Sequence, residues 1–140
     1  MVSVCAGCDE YYPWAAALVA SVAGLAYVIV SKTMASVKID DPLDAVAVHA
    51  SSGLWGLLAA PIFMENGIVY TGSREALMML TWNTIGAWRF IGWNCVCGIL
   101  IFGFLKALKL FSVNEAHESQ GLDVVKHNEP AYPIGRDMYY

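Results

Sequence analysis

The sequence predicts an all-α integral membrane protein: three transmembrane helices followed by a polar tail. Composition comes first. Of the 140 residues, 58% are apolar and 14% charged, against about 45–50% and about 25% in an ordinary soluble domain. The second observation is where charge is missing. No Asp, Glu, Lys or Arg interrupts positions 11–31 or 45–64, and Arg89 alone interrupts 76–105. About 20 apolar residues suffice to cross about 30 Å of hydrocarbon as a helix. Third, a net charge of -4 with only eight Lys or Arg residues excludes a nucleic-acid-binding surface. Such apolar content also excludes a disordered chain.

Residues 1–10 hold a short apolar piece and two acids, Asp9 and Glu10, with no basic residue. They do not make the n-region of a secretory leader. They are expected to be the remnant of a preceding span and its outer loop. The first transmembrane helix is placed at 11–31, with Ala16, Ala20 and Gly24 as a small-residue face for close helix packing. A cytoplasmic loop at 32–41 follows. The second helix, 42–64, has a marked start: Asp41 as N-cap, Pro42 at the first helical position, and Asp44 at the third, near free N–H groups and the positive end of the dipole. Ser52, Gly56 and Ala60 form its small-residue face. An outer loop at 65–78 leads to a third helix at 79–111, long enough to require tilt, projection or a break near Gly86. Residues 112–140 form a polar cytoplasmic tail. The orientation rests on six of the eight basic residues lying in the 32–41 loop, at the end of the third helix and in the tail. Trp14, Trp82, Trp88 and Trp93 fall near the opposite boundary, as interfacial aromatics do. Arg89 can snorkel to the headgroups.

His49 is the sharpest feature. It is the only ionisable residue of the second span, and counted from Asp41 it lies roughly 12 Å along a helix, near the middle of the bilayer core. Ionisable groups there face a protein interior or a cavity and are functional candidates by default. A neutral imidazole offers one donor and one acceptor, so it can line a path for a small polar molecule without fixing a charge. A satisfied packing histidine is the competing reading. His49, Ser52, Gly53 and Gly56 share one face by helical spacing, and that face suits either a narrow channel or a neighbouring helix. Cys5 and Cys8 make a lone C-x-x-C without a second pair, and read as small apolar residues. No phosphate-binding glycine loop, H-E-x-x-H motif or nucleophilic triad occurs. Neither enzyme chemistry, a metal nor a cofactor is expected.

Two stretches carry a family resemblance. D-D-P-L-D-A-V-A-V-H, from Asp40 to His49, resembles the D-D-P-x-D-x-x-x-V-H pattern that opens the tenth span of ammonium transporters of the Amt/Mep/Rh superfamily. G-L-D-V-V-K-H-N-E-P-A-Y, from Gly121 to Tyr132, resembles the tail pattern G-L-D-x-x-x-H-x-E-x-A-Y of the Amt branch. The resemblance covers nearly the whole chain. It implies that the three spans are the C-terminal portion, spans nine to eleven, of an eleven-span transporter fold. It further implies transmembrane transport of ammonium or ammonia, a multi-pass protein of the plasma membrane, and a homotrimer with one pore per subunit. By motif match His49 would be the second of two pore histidines, lining the pore and relaying protons. Asp44 would be the acid at the cytoplasmic start of that helix. Gly121, Leu122, Asp123, His127, Glu129 and Tyr132 would belong to a regulatory tail that contacts neighbouring subunits. This sequence departs from the family in having Ala50 after the histidine and Asn128 in the tail, where glycine is usual, and in Arg89. It also lacks the first pore histidine and the outer gate, which belong to earlier spans. The alternative is a stand-alone three-span protein that associates with full-length subunits and regulates them without transporting.

Overall fold

The computed structural model describes residues 1–111, 113, 116, 117 and 121–129. Among these the structure is helical, with no strand and one isolated antiparallel bridge between Tyr11 and Met64. The chain divides into two compact units, Met1–Gly92 and Trp93–Tyr140. Among the described residues three helices are long and apolar enough to cross a membrane: Pro13–Ser36, Val46–Phe63 and Arg74–Ala107.

The first unit opens with a 3-10 helix, Val2–Gly7, and continues with α1, Pro13–Ser36. Helix α1 starts at a proline, whose missing N–H costs nothing in the first turn. It runs past the end of the charge-free stretch, because Lys32 and Thr33 are compatible with helix even where they end the apolar run. It stops where Lys38 takes a left-handed backbone, φ 57°, and the Ile39 N–H reaches back to the Met34 carbonyl at 3.1 Å. This six-to-one closure satisfies carbonyls that the helix end leaves open. The second span is a π-helical turn, Val46–Ser51, running into α2, Ser52–Phe63. A single turn, α3 (Ile68–Thr71), leads to α4, Arg74–Ala107. The Ser73 hydroxyl caps α4 by accepting the Ala76 N–H at 3.1 Å. That cap places the helix start before the position 79 expected from hydropathy. No break occurs at Gly86.

The 3-10 helix packs on α2. Ser3 and Gly7 are buried, and the Ser3 backbone lies directly against Gly56 of α2. A Cβ at Gly56 would collide with the Ser3 carbonyl oxygen and stand 2.8 Å from the Ser3 Cα. Ser52, Gly56 and Ala60 are all buried. Their small side chains make the floor on which the N-terminal segment lies. On α1 the buried residues are Ala15, Val19 and Ala23. The expected stripe is one position off: Ala20 and Gly24 are exposed and border a cleft of about 340 Å³.

Pro61 sits inside α2 and is fully buried. Having no N–H, it cannot bond to the carbonyl of Leu57 four residues earlier. The Asn83 side-chain amide of α4 donates to that carbonyl instead, at 2.9 Å. A helix defect is thereby turned into a link between two helices.

In the second unit, α4 ends as Lys109 adopts φ 58° and the Leu110 N–H bonds to the Leu105 carbonyl at 3.0 Å. Helix α5 spans Leu122–His127. Of the tail positions singled out above, Tyr132 lies outside the described residues.

Candidate functional site

The turn that carries His49 starts differently from the sequence expectation. Asp41, Pro42, Leu43 and Asp44 form a β-turn closed by the Asp44 N–H to the Asp41 carbonyl, 3.1 Å. Proline favours the second position of such a turn as much as the first position of a helix, since both need the backbone angle that its ring fixes. Pro42 therefore fits either, and the turn is what forms. The Asp41 carboxylate still meets the helix: it accepts the N–H groups of Ala45 and Val46, at 2.7 and 2.8 Å. Asp44 is not a third helical residue. Its backbone is left-handed, φ 53°. Its side chain turns to α1, accepting the Tyr27 hydroxyl on Oδ2 and the Ser31 hydroxyl on Oδ1, both at 2.9 Å.

Helical structure in the second span thus begins at Ala45 rather than at Pro42, and His49 is about one turn in. Counting within its own helix would place it near an end. The neighbouring helix gives a different height. Three ties fix how α1 and the second span run past each other. Tyr11 bridges Met64, the Trp55 indole N–H donates to the Val19 carbonyl at 3.0 Å, and Tyr27 and Ser31 hold Asp44. The spans are antiparallel, and interpolating between the Val19–Trp55 and Tyr27–Asp44 ties puts His49 roughly level with Gly24 and Leu25, about the middle of Pro13–Ser36. The helix start is recessed: residues 37–44 fold back alongside α1 before the second span begins.

His49 is exposed, as are Ala45, Val46 and Ala50 around it to varying degrees. The predicted common face does not form. Ser52 and Gly56 are sealed under the N-terminal segment, while His49 stands on the open side. The π-helical turn accounts for this, because its wider winding breaks the 3.6-residue register on which that face was counted. Such turns occur often at functional sites. Beside His49 an apolar groove of about 410 Å³ runs between the second span and α4, bordered by Ala50, Gly53, Leu54, Ala87 and Phe90. Among the described residues no three His, Cys, Asp or Glu side chains cluster as metal ligands do. Tyr27, Ser31 and Trp55 were not singled out by sequence. The signal available was two hydroxyls four residues apart in an apolar run.

Residues 1–132 match the Ammonium Transporter Family. The chain belongs to the ammonium transporter family. A Caenorhabditis elegans protein whose name places it among the ammonium transporters is 42% identical over 147 residues, covering 96% of this chain and 28% of its own length. Ammonium transporter 1 member 1 of rice (Oryza sativa subsp. japonica) is 30% identical, with 93% and 28% covered. Ammonium transporter Amt2 of Archaeoglobus fulgidus is 27% identical, with 95% and 30% covered. The chain thus spans less than a third of these relatives. No solved structure matches it. Family membership together with three apolar spans makes this a multi-pass membrane protein. The backbone at Asn128 accounts for asparagine standing where the resemblance leads one to expect glycine. That position has φ 54°, and the N–H of Glu129 closes α5 on the Asp123 carbonyl at 3.1 Å. Asparagine is the residue that most often replaces glycine in such a cap.

Proposed function

We propose that this chain forms the C-terminal part of an ammonium-transport subunit, and that His49 faces the route taken by ammonium or ammonia through the bilayer. One observation carries the reading. The only ionisable side chain of the second span's charge-free run is roughly level with the middle of α1, on the side of its helix that the described residues of the first unit leave uncovered. The rest of the subunit would close that side and supply a second imidazole. Potassium and ammonium are alike in size and charge, so a wide wet pore separates them poorly. A narrow apolar passage makes a bare cation costly. Ammonium can release a proton and pass as ammonia, and potassium cannot. A pair of neutral imidazoles can hydrogen-bond the neutral species and return the proton. In this reading the subunit assembles as a homotrimer in the plasma membrane, with the tail on the cytoplasmic side.

The test uses a complete subunit, made by grafting this chain in place of the matching segment of the C. elegans relative. Labelled methylammonium uptake is measured in cells lacking their own carriers. His49→Ala is expected to abolish uptake or to change its selectivity over potassium. Unchanged uptake and selectivity in a variant that reaches the membrane would refute the pore role.

A further inference from the structure

Asp44 does two things at once. Its carboxylate is held by two hydroxyls of α1, Tyr27 and Ser31, each at 2.9 Å. Its backbone opens the helix that carries His49, for the Asp44 carbonyl accepts the Val48 N–H at 2.8 Å. The two hydroxyls sit four residues apart, on one face of α1, where they can grip both carboxylate oxygens. A left-handed conformation costs most non-glycine residues about 1–2 kcal/mol, and Asp tolerates it better than most. At Asp44 the surroundings hold it in place: the β-turn on one side, the two hydroxyls on the other. Moving the Asp44 side chain would turn its backbone, and with it the first bonds of the π-helical turn five residues before His49.

We propose that Tyr27 and Ser31 are positioning residues for His49, acting through Asp44 to fix the height and rotation of the turn on which the imidazole stands. The consequence for transport rests on the pore role given to His49 above; the geometric part does not. A plain stabilising link between α1 and the second span would look similar in a stability measurement. The Trp55–Val19 hydrogen bond is such a link, at 3.0 Å and farther along the same pair of helices, and it serves as the comparison.

The experiment has two arms. In the first, this chain is placed in lipid nanodiscs with ¹⁵N-labelled histidine, and the His49 ring signals are assigned by their loss in His49→Gln. Tyr27→Phe combined with Ser31→Ala is expected to move or broaden the ring signals and to raise the rate at which diethyl pyrocarbonate modifies the ring. Asp44→Ala should do the same, and adding the two α1 changes to it should do no more. Asp44→Asn keeps tolerance of the left-handed backbone and one acceptor oxygen, and should largely restore the wild-type signals. Trp55→Phe should lower thermal stability and leave the ring where it is. Unmoved ring signals in the Tyr27/Ser31 double variant, or an equal displacement in Trp55→Phe, would overturn the proposal. The second arm repeats the double variant in the grafted transporter. Maximal methylammonium uptake should fall roughly tenfold with a smaller change in half-saturation, since displacement of a working group by about 1 Å can cost up to about 10²-fold. A ring that moves while uptake stays constant upholds the positioning role and counts instead against the pore role of His49.

Discussion

The second span has two sides that obey different rules. On one, Ser52, Gly56 and Ala60 are buried, and the backbone of Ser3 presses against Gly56 so closely that a methyl group has no room. On the other, Ala45 and, in a wider turn where the ordinary helical register lapses, Val46, His49 and Ala50 are exposed. Both sides are made of small or weakly polar residues, and composition does not tell them apart. What separates them is whether the described residues of the first unit supply the cover. Small residues on the sealed side serve backbone approach. On the open side the same sizes leave space, and the one large polar ring projects from it.

Gly56→Val tests the sealed side and has the largest expected effect. The added carbons would meet the Ser3 main chain, which cannot swing away as a side-chain end could. Overpacking of this kind costs about 1–3 kcal/mol and occasionally more. Displacement of the whole Val2–Gly7 segment is the expected outcome, read as a lower unfolding temperature in detergent and as proteolytic loss of the N-terminus. A Gly56→Val chain with wild-type stability would mean that the segment does not lie on α2.

Asn83→Leu comes next. It removes the donor that serves the Leu57 carbonyl, which Pro61 cannot serve. A fully buried acceptor left alone costs about 1–3 kcal/mol, and this part-buried one should cost toward the lower end of that range. The cost should shrink in a Pro61→Ala background, where an N–H becomes available in the helix itself, and a double-mutant cycle in thermal unfolding measures that coupling. Additive effects would show that Asn83 acts elsewhere.

Three helices could be read from charge-free runs because lipid imposes a single strong requirement on length and polarity. Their ends and faces could not. Charge marks where the apolar stretch stops, and α1 simply winds on through Lys32 and Thr33. The D-D-P-L-D start was legible as a start, and Asp41 does hold helix N–H groups, yet proline's fixed φ suits a β-turn and a helix equally. Only the long-range grip of Tyr27 and Ser31 on Asp44 decides between them. Counting along a helix from Asp41 puts His49 near mid-span. Its level with Gly24 instead comes from a recessed start, which no local pattern encodes. The packing of Val2–Gly7 was illegible for a similar reason: six residues are too few to carry a period.

Ser3→Ala should act with the opposite sign. The Ser3 hydroxyl is buried, with no hydrogen-bond partner among the described residues. Replacing a buried, unpaired hydroxyl by hydrogen removes a desolvation cost, so the variant should be neutral or more stable by up to about 1 kcal/mol. Loss of stability would reveal a partner for that oxygen when the chain sits in lipid.

The smallest effects belong on the open side, and they sharpen the contrast most. Ala50 and His49 are exposed, so Ala50→Ser and His49→Gln should each change the stability of this chain by no more than about 0.5 kcal/mol. A packing histidine would behave otherwise: truncation would leave a void and lower the unfolding temperature as Gly56 or Asn83 changes do. In the grafted transporter the ranking should invert. On the proposed reading the rest of the subunit would cover the open side there, and His49→Gln should impair uptake far more than its effect on stability predicts, while Ser3→Ala leaves uptake unchanged. Measuring unfolding and uptake on the same variants therefore separates a side built for packing from a side built for passage. If the two rankings coincide, the span has only one kind of face, and the imidazole is part of the scaffold.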